Sequence, residues 1–524
     1  MNFLISNRQK IFFSIVSGLL LTLAFPKPGF FWLAFIAFIP FFFAIKNSNE
    51  KQSAVYGLIF GLTHFYSLLF WMLYTLKTYG FLPLWLCIPI LFLLAFYLSL
   101  YTAFFSWFIV KFSKNMILFF ILTPSFWVCL ELIRSYALTG FPWELLGYSQ
   151  YQFLPLIQIA DITGVYGISF LIMLVNTSLF LLALFLRKNK WQGHVVTPKT
   201  IINSLCVTTV LFLVSTVYGY YKINQVDKLS HVAESAVVSA IQGNIDQSVK
   251  WKKDRQVETV DKYSNLSLAA SSNNPDLIVW PETAAPFYYL YNKELTYRVT
   301  KGIQNTNTAH LIGSPSFERV GKKFAFFNSA YVANAKGKVV DKYDKVHLVP
   351  FGEYVPLKKF LPFINKLTEQ VGDFLPGKKG KTIKHKNLTL GIQICFEVVF
   401  PGLSREAVKN GANLIINMTN DAWFGKKSAP FQHFSMVVFR AVENRRAVAR
   451  SANTGISGFI DPVGRQLSTT GLYIDAHISE RLPLLKKMTF YTLYGDIFAF
   501  LCFFPVILAV IYEKRKKNKI FTSA

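Results

Sequence analysis

Residues 388–423 read LTLGIQICFEVVFPGLSREAVKNGANLIINMTNDAW and predict the fold of the polar half of the chain. Short apolar, β-rich runs open and close this stretch, at 388–397 and 413–423, and each has a length that suits a buried strand. The residues between them, 400–412, are typical of a helix. A strand, a helix and a second strand in this order predict a layered α/β sheet.

The same alternation continues on both sides of this stretch. Four further apolar runs favour strands, while the stretches 248–271, 293–306 and 433–452 favour helices. About 250 residues is ample for one domain of this kind. No GxGxxG or P-loop pattern follows a strand, so nothing in the sequence supports nucleotide binding. The four further runs are VVSAIQGNI from 237, LIVWPETAAP from 277, HLIGSPSF from 310 and FNSAYVANA from 327.

The composition indicates a membrane protein that also carries a folded domain. Of the 524 residues, 52% are hydrophobic and 16% are charged, whereas about 25% of the residues in soluble domains are charged. These values exclude a disordered chain and an ordinary cytosolic enzyme. The net charge is +27, and 22 of the 55 basic residues lie in or beside the apolar half. That distribution favours contact with a membrane surface and argues against a nucleic-acid partner.

Eight apolar runs predict eight membrane spans, since a span needs roughly 20 apolar residues. Seven runs fall in residues 1–221, the predicted transmembrane helical domain, and the eighth falls in 494–524, a closing helix with a basic tail. The first two runs are interrupted by Pro26, Pro28 and Pro40, so they form either a re-entrant pair or two tilted spans. The runs are about 11–25, 30–45, 54–73, 88–110, 116–133, 166–186, 201–221 and 494–512.

The basic residues predict how these spans are oriented. With both termini in the cytoplasm, the inside segments carry 15 basic residues and the short outside loops carry 3. Because basic loops stay on the cytoplasmic side, this asymmetry places residues 222–493 outside the cytoplasm. The long polar segment is therefore predicted to be an extracytoplasmic domain between the seventh and eighth spans.

Three polar residues follow predicted elements of the sheet and form a candidate site. Glu282 follows the run LIVW, Cys395 ends the run GIQIC, and Lys345 closes the hairpin-like NAKGKVVDKYDK. Functional groups in α/β sheets gather at the carboxyl ends of strands. A thiol, a carboxylate and an ammonium there suit a nucleophile, a base and a stabilising cation. Taken singly, each residue is also explained by packing or by an ordinary surface charge.

The cysteine pattern argues against a metal site. Of the five cysteines, Cys395 alone lies in the polar half, so it has no disulfide partner there. The sequence contains no CxxC pattern and no Cys/His cluster, which are the usual signs of bound zinc. We therefore predict no metal.

Three motifs, WPE at 280–282, DKVHLVPFGEYVP at 344–356 and GIQICFE at 391–397, resemble the nitrilase superfamily with its Glu-Lys-Cys triad. Together with the spans and with QGNIDQSVKW at 242–251, they make essentially the whole chain similar to the apolipoprotein N-acyltransferase family of the bacterial inner membrane. This resemblance implies a multi-span α-helical membrane domain plus an extracytoplasmic α/β domain of the nitrilase-like αββα type. It also implies that the catalytic domain faces the periplasm.

The resemblance implies a role for each matched residue. Cys395 is expected to be the nucleophile, Glu282 the general base, and Lys345 the cation that stabilises the tetrahedral intermediate. Phe396 stands where some members have tyrosine, so its backbone N–H is the expected oxyanion donor. Three further residues are expected to support the site: Glu353 in PFGEYVP, Glu397 two residues after the cysteine, and Trp251 after QGNIDQSVK.

The implied reaction moves an acyl chain between two membrane-bound partners without a cofactor. The donor is a phospholipid, typically phosphatidylethanolamine, and the chain passes through a thioester on Cys395 to the N-terminal amine of a diacylated apolipoprotein. One alternative is a membrane-tethered amidase that hydrolyses a carbon–nitrogen bond and needs no acceptor amine. The other is a non-catalytic lipid-handling scaffold, against which the complete triad and the scarcity of ionisable residues within the spans both argue.

Residues 357–386 suggest a lid over the site. Phe360, Leu361 and Phe363 are apolar and are bracketed by lysines, so they are expected to dip into the outer leaflet while the lysines contact lipid phosphates. The alternative is a surface excursion whose apolar residues pack on the domain.

Overall fold

The computed structural model describes residues 6–321, 323–354 and 374–522. The chain divides into two compact units. The first, the helical unit, comprises Met1–Lys77, Leu82–Lys222 and Tyr494–Ala524, and the second, the sheet unit, comprises Thr78–Phe81 and Ile223–Leu493. The lid residues Phe360, Leu361 and Phe363 lie outside the described residues, so their role stays a prediction.

The helical unit is built from apolar helices of very different lengths. Its described residues also form three 3₁₀ turns, at Phe31–Phe35, Ala137–Thr139 and Leu146–Gln150, and a short hairpin that pairs Lys190–Trp191 with His194–Val195. The described helices that lie wholly or mainly in this unit are Asn7–Leu23, Phe38–Ile45, Glu50–Leu68, Met72–Thr78, Leu84–Phe112, Met116–Tyr136, Leu154–Ile157, Ala160–Thr163, Val165–Leu186, Pro198–Val232, Ile497–Leu501 and Phe503–Thr522.

Five helices in the described part of the chain are long and apolar enough to cross a membrane. A sixth span results if Glu50–Leu68 and Met72–Thr78, which are bent by 56° at their junction, count as one. The first two apolar runs of the sequence form shorter helices, as their prolines imply. The count of eight spans therefore stays a prediction. The five candidate spans are Leu84–Phe112, Met116–Thr139, Val165–Leu186, Pro198–Val232 and Ile497–Lys516. The second includes the 3₁₀ turn that follows its helix, and the fifth joins Ile497–Leu501 to most of the next helix.

Small residues bring the helices Glu50–Leu68 and Leu84–Phe112 into close contact. A Cβ at Gly57 would collide with the backbone of Thr102 and the side chain of Ser106. The Thr102 hydroxyl donates to the Gly57 carbonyl at 2.8 Å across this contact. In lipid, helices associate through van der Waals contact and interhelical hydrogen bonds, because the hydrophobic effect is absent there. Glycine allows the close contact, and serine and threonine hydroxyls supply the hydrogen bonds.

The sheet unit contains, within the described residues, two six-stranded sheets. Each sheet has a parallel centre flanked by antiparallel strands. In spatial order the first sheet is Ala476–Pro483, Ser235–Gln242, Leu277–Val279, Ala309–Val320, Lys323–Ala333 and Val339–Asp344. The second is Gln466–Thr469, Gly458–Ile460, Ala447–Ala452, Leu414–Thr419, Leu388–Ile394 and Ile383–His385.

The stretch 388–423 forms the predicted strand, helix and strand. The strand Leu388–Ile394 lies parallel to Leu414–Thr419, and Leu390 pairs with Leu414 in their register. The helix Pro401–Lys409 between them begins with proline, whose missing N–H costs nothing at a first helical position. All six residues of Leu414–Thr419 are buried, which fits a central parallel strand covered on both faces. The predicted α/β class is confirmed.

Helices accompany both sheets of this unit. A buried apolar cluster links the first sheet to its helices and includes Val260, Trp280, Val299 and Ile312. The apolar faces of the helices Lys253–Ser271 and Lys293–Thr306 are thus buried against strands. This packing positions the residues at the strand ends. The described helices are Lys253–Ser271, Lys293–Thr306, Pro401–Lys409, Ala429–Asn444 and Phe490–Tyr494.

Candidate active site

Buried polar side chains lie where strands of the two sheets end. Glu282 follows the strand Leu277–Val279 and Lys345 follows Val339–Asp344, both in the first sheet. Cys395 follows Leu388–Ile394 in the second sheet. The exposed fraction is 6% for Glu282, 1% for Lys345 and 6% for Cys395. Burial of ionisable groups is costly unless they are paired, so their partners decide what this cluster can do.

The Lys345 ammonium is shared by two carboxylates. Its Nζ donates to Glu353 Oε1 at 2.9 Å and lies 3.4 Å from Glu282 Oε1. The Asn328 amide donates to one oxygen of each carboxylate, at 2.8 Å in both cases. Burial acts to lower the pKa of Lys345, but Glu353 and Glu282 outweigh it and raise the pKa above its ordinary value. Lys345 therefore stays charged.

The turn that carries Glu282 is held by backbone contacts on several sides. Glu282 Oε2 accepts the Asn420 N–H at 3.0 Å, and Lys250 Nζ donates to the Glu282 main-chain carbonyl at 3.2 Å. The neighbouring strand approaches so closely that a Cβ at Gly313 would collide with the backbone of Pro281 and Thr283. The carboxylate is thus fixed by its main chain as well as by its own hydrogen bonds.

Cys395 has an unusual backbone conformation. Its φ is +54°, in the left-handed region that few residues other than glycine adopt, and it begins a 3₁₀ turn, Cys395–Val399. Such a conformation costs about 1–3 kcal/mol and is often found at functional sites. Burial raises the pKa of the Cys395 thiol, the Glu282 carboxylate raises it further, and Lys345 opposes them. The resting thiol is therefore protonated and needs a base to become a nucleophile.

Glu397 joins the end of the Cys395 strand to the segment that carries Lys345. Its carboxylate accepts the N–H groups of Ile394 at 2.6 Å, Val346 at 2.6 Å and His347 at 3.1 Å. It also accepts the hydroxyl of Tyr343 at 3.1 Å. Burial raises the pKa of Glu397 to about 7, although the Ile394 N–H and Lys345 act to lower it. Glu397 thus holds the ammonium and thiol segments in one arrangement.

Comparison with known proteins assigns the chain to a family. Residues 17–178 match the apolipoprotein N-acyltransferase N-terminal domain, and residues 237–475 match the carbon-nitrogen hydrolase family. The apolipoprotein N-acyltransferase of Geobacter metallireducens is 41% identical over 515 residues, which cover 98% of this chain and 96% of that protein. The chain belongs to the apolipoprotein N-acyltransferase family.

Other members of the family match over similar lengths. The apolipoprotein N-acyltransferase of Rickettsia typhi is 32% identical over 504 residues, 95% of each chain. Among solved structures, an amidase from Nesterenkonia sp. has a TM-score of 0.38 and 18% identity, and the match covers 48% of this chain and 91% of the amidase. The Geobacter relative and the carbon-nitrogen hydrolase match together make this chain an acyltransferase of the nitrilase superfamily, as the motifs indicated.

In this acyltransferase, the structure brings most of the predicted site residues together. Glu282, Lys345, Glu353 and Glu397 are linked through the contacts above, and Cys395 lies within electrostatic range of the first two. Their catalytic roles stay predictions.

The side chains of the other two predicted residues, Phe396 and Trp251, take no part in the hydrogen bonds described above. The Phe396 ring packs on Phe400, with ring centroids 5.2 Å apart, so only its backbone is suited to the oxyanion. Trp251 is 50% exposed, and no hydrogen bond or ring contact in the described part of the chain joins its side chain to the cluster.

Several residues at the site were not predicted from the sequence. Asn328, Asn420 and Lys250 all contact Glu282. Lys250 is buried, and burial lowers its pKa to about 8. Asn328 and Asn420 are polar residues within apolar strand-like runs, but many surface residues occur in the same setting, and Lys250 has no such signal. Only the pairing of distant strands identifies the partner of each amide or ammonium.

Proposed function

We propose that this protein transfers an acyl chain from a phospholipid, with phosphatidylethanolamine as the expected donor, to the N-terminal amine of a diacylated apolipoprotein. The observation that carries the proposal is the buried cluster of Glu282, Lys345 and Cys395 in a chain with several membrane-length helices. Both substrates have acyl chains in a bilayer, so a chain that contains membrane-length helices as well as a thiol site suits them. The relatives named apolipoprotein N-acyltransferase match over nearly the whole chain, which supports the same reaction here.

The first half-reaction makes a thioester. Glu282 takes the thiol proton, and the Cys395 sulfur attacks the ester carbonyl of the phospholipid. The oxyanion that forms is stabilised by the Lys345 ammonium and by the Phe396 N–H. When the tetrahedral intermediate collapses, the carbon–oxygen bond breaks and Glu282 returns its proton to the lysophospholipid alkoxide. The acyl chain remains on sulfur, and Glu282 is again a carboxylate.

The second half-reaction makes an amide. The acceptor is an α-amine with an ordinary pKa of about 7.7–8.0, so roughly a tenth of it is neutral at pH 7. The neutral amine attacks the thioester carbonyl, and Glu282 takes the proton of the ammonium that forms. Collapse expels the Cys395 thiolate, which recovers a proton from Glu282. The stability of the amide makes this step effectively irreversible.

A membrane-tethered amidase is the second candidate, because residues 237–475 match the carbon-nitrogen hydrolase family. Hydrolysis uses the same triad with water in place of the amine. The membrane-length helices favour acyl transfer, since an enzyme acting on small soluble amides gains nothing from them.

Incubation of purified protein with labelled phospholipid alone is expected to acylate Cys395 and release one lysophospholipid per enzyme. This burst follows from a covalent intermediate that lacks its acceptor. Mass spectrometry of the Cys395 peptide measures the adduct, and a diacylated lipopeptide added afterwards should discharge it as a triacylated product.

Two outcomes would contradict this scheme in different ways. If no adduct forms until the lipopeptide is present, the transfer is direct and the thioester is not an intermediate. If the adduct forms but water discharges it as quickly as the lipopeptide does, the amidase is the better description.

The orientation of the chain is part of the same proposal. We expect the sheet unit on the periplasmic side of the bacterial inner membrane and both termini in the cytoplasm, because of the 15 to 3 asymmetry of basic residues. An epitope inserted at about 320–323 should be accessible in spheroplasts, and one at 519–524 only after permeabilisation. A periplasmic and a cytoplasmic marker protein serve as controls. If both epitopes report the same side, the number of spans is wrong by one.

A further inference from the structure

The carbonyl of the peptide that joins Cys395 to Phe396 is contacted by two side chains. The N–H of Phe396 is the oxyanion donor of the proposed mechanism, while the carbonyl of the same peptide belongs to Cys395. That carbonyl lies 3.2 Å from His433 Nε2 and accepts the Asn417 amide at 3.4 Å. The peptide is trans, so its N–H and C=O point in opposite directions. Whatever holds the carbonyl therefore also sets the direction of the N–H.

A fully buried network stands behind His433. Arg450 Nη2 donates to Asp421 Oδ2 at 2.6 Å and lies 3.1 Å from His433 Nδ1. Asp421 Oδ1 lies 3.1 Å from the same ring nitrogen and accepts the Thr419 hydroxyl at 2.8 Å. Arg450 also donates to the Asn417 side chain, its partner in the register of the two strands. Asp421 and Arg450 thus contact His433, and His433 in turn contacts the carbonyl of Cys395.

The partners of His433 determine where its ring proton lies. A carbonyl oxygen accepts hydrogen bonds and donates none, so Nε2, which faces the Cys395 carbonyl, carries a hydrogen. Burial and the Arg450 guanidinium lower the pKa of His433, which favours the neutral ring. The Asp421 carboxylate, 3.1 Å from Nδ1, opposes this lowering of the pKa, but Nε2 carries its hydrogen in the protonated ring and in the neutral form alike. Asp421 pairs with Arg450 and holds the guanidinium in position.

We propose that His433 is a positioning residue for the oxyanion donor. Its Nε2–H fixes the Cys395 carbonyl, and through the shared amide it orients and polarises the Phe396 N–H. Hydrogen bonds that an amide carbonyl accepts strengthen donation by the N–H of the same group, because the amide is polarised along its length. Orientation matters as much, since an oxyanion donor acts only when it already points at the position where charge develops. The inference rests on the function proposed above.

A purely structural role for His433 predicts a different result from the positioning role proposed here. If His433 only supported the fold, its loss would displace the cysteine and slow every reaction of the thiol. If it acts through the Phe396 N–H, its loss slows only reactions that pass through an oxyanion. Alkylation by iodoacetamide forms no oxyanion, because sulfur displaces iodide directly, so it reports the thiol alone.

We expect His433→Leu to slow acylation by phospholipid about 10- to 100-fold, somewhat less than direct loss of an oxyanion donor. The rate of iodoacetamide alkylation, followed on the Cys395 peptide by mass spectrometry, should stay within about twofold. His433→Gln should recover most of the acylation, because a glutamine amide can donate to the Cys395 carbonyl. Ser435→Ala is the matched control: its hydroxyl is buried on the same helix but donates to the Gln432 carbonyl.

Three results would overturn the inference. The first is that His433→Leu loses acylation and alkylation equally, and the second is that its acylation rate is unchanged. The third is that His433→Gln acylates no faster than His433→Leu. If His433→Leu does not accumulate in membranes, His433→Phe supplies a flat ring without a donor and is read in the same way. Absence of an acyl adduct in the unmodified protein would instead count against the proposed function, so the two failures are distinguishable.

Discussion

Replacement of Cys395 by alanine is expected to abolish the acyl-enzyme and to lower transfer at least about 10⁴-fold, as removal of a catalytic nucleophile commonly does. Lys345 cannot act as the nucleophile in its place, because an ammonium bound to carboxylates is not nucleophilic. Labelled phospholipid measures both quantities, through the adduct on the protein and the triacylated lipopeptide released.

Two further cysteine variants make this result specific. Cys395→Ser should also be nearly inactive, because a carboxylate base removes a hydroxyl proton far less readily than a thiol proton. Cys206→Ala is the matched control, since Cys206 is a free, exposed cysteine of the helical unit, and it should keep full activity. Substantial transfer by Cys395→Ala would overturn the thioester mechanism as a whole.

The sequence was enough to predict the α/β class and the ends of the strands that precede Glu282 and Cys395. The helix predicted over 433–452 was wrong at its end, because Ala447–Ala452 is a strand of the second sheet. Strands are recognised from local runs of apolar residues, and Glu282 and Cys395 each come directly after such a run. The helix Pro401–Lys409 could be predicted for the same reason. The family motifs then connected Lys345 and Glu353 to these two residues, although they lie far apart in the chain.

The arrangement around these residues could not be predicted, because it depends on which distant strands become neighbours. Asn328 bridges Glu282 and Glu353 only once the strand Lys323–Ala333 is paired, and Arg450 meets Asp421 only across two parallel strands. The left-handed backbone of Cys395 leaves no pattern in the sequence either, since glycine would be the usual signal for it. Local patterns thus predict elements, whereas the hydrogen bonds of the site come from tertiary pairing.

The helical unit illustrates a second limit. Hydropathy identified the apolar runs, but the ends and bends of the helices do not follow from these runs. The run 54–73 became the bent pair Glu50–Leu68 and Met72–Thr78, and the run 201–221 extended into the 35-residue helix Pro198–Val232. Apolar composition alone therefore locates candidate spans without fixing their ends.

Glu282→Gln is expected to lower acylation by phospholipid about 10³-fold, within the range that a general base contributes. An amide cannot take the Cys395 proton. It also meets donors on both sides, since one carboxylate oxygen accepts the Asn420 N–H while the other faces Asn328 and Lys345. The glutamine NH₂ must therefore face a donor whichever way it turns. Labelled phospholipid again measures the rate.

The pH dependence and the alkylation rate test why Glu282→Gln fails. Because burial raises the pKa of the Cys395 thiol above its ordinary value, raising the solution pH to about 9 should not restore the lost base. Alkylation by iodoacetamide should fall together with acylation, the opposite of the result expected for His433→Leu. Glu258→Gln is the control, since Glu258 pairs with Arg255 on the exposed surface and should lose little activity. A different result is that the Cys395 thiol of Glu282→Gln is alkylated as fast as that of the unmodified protein. In that case Glu282 protonates the leaving alkoxide but does not activate the thiol, and another group must take the thiol proton.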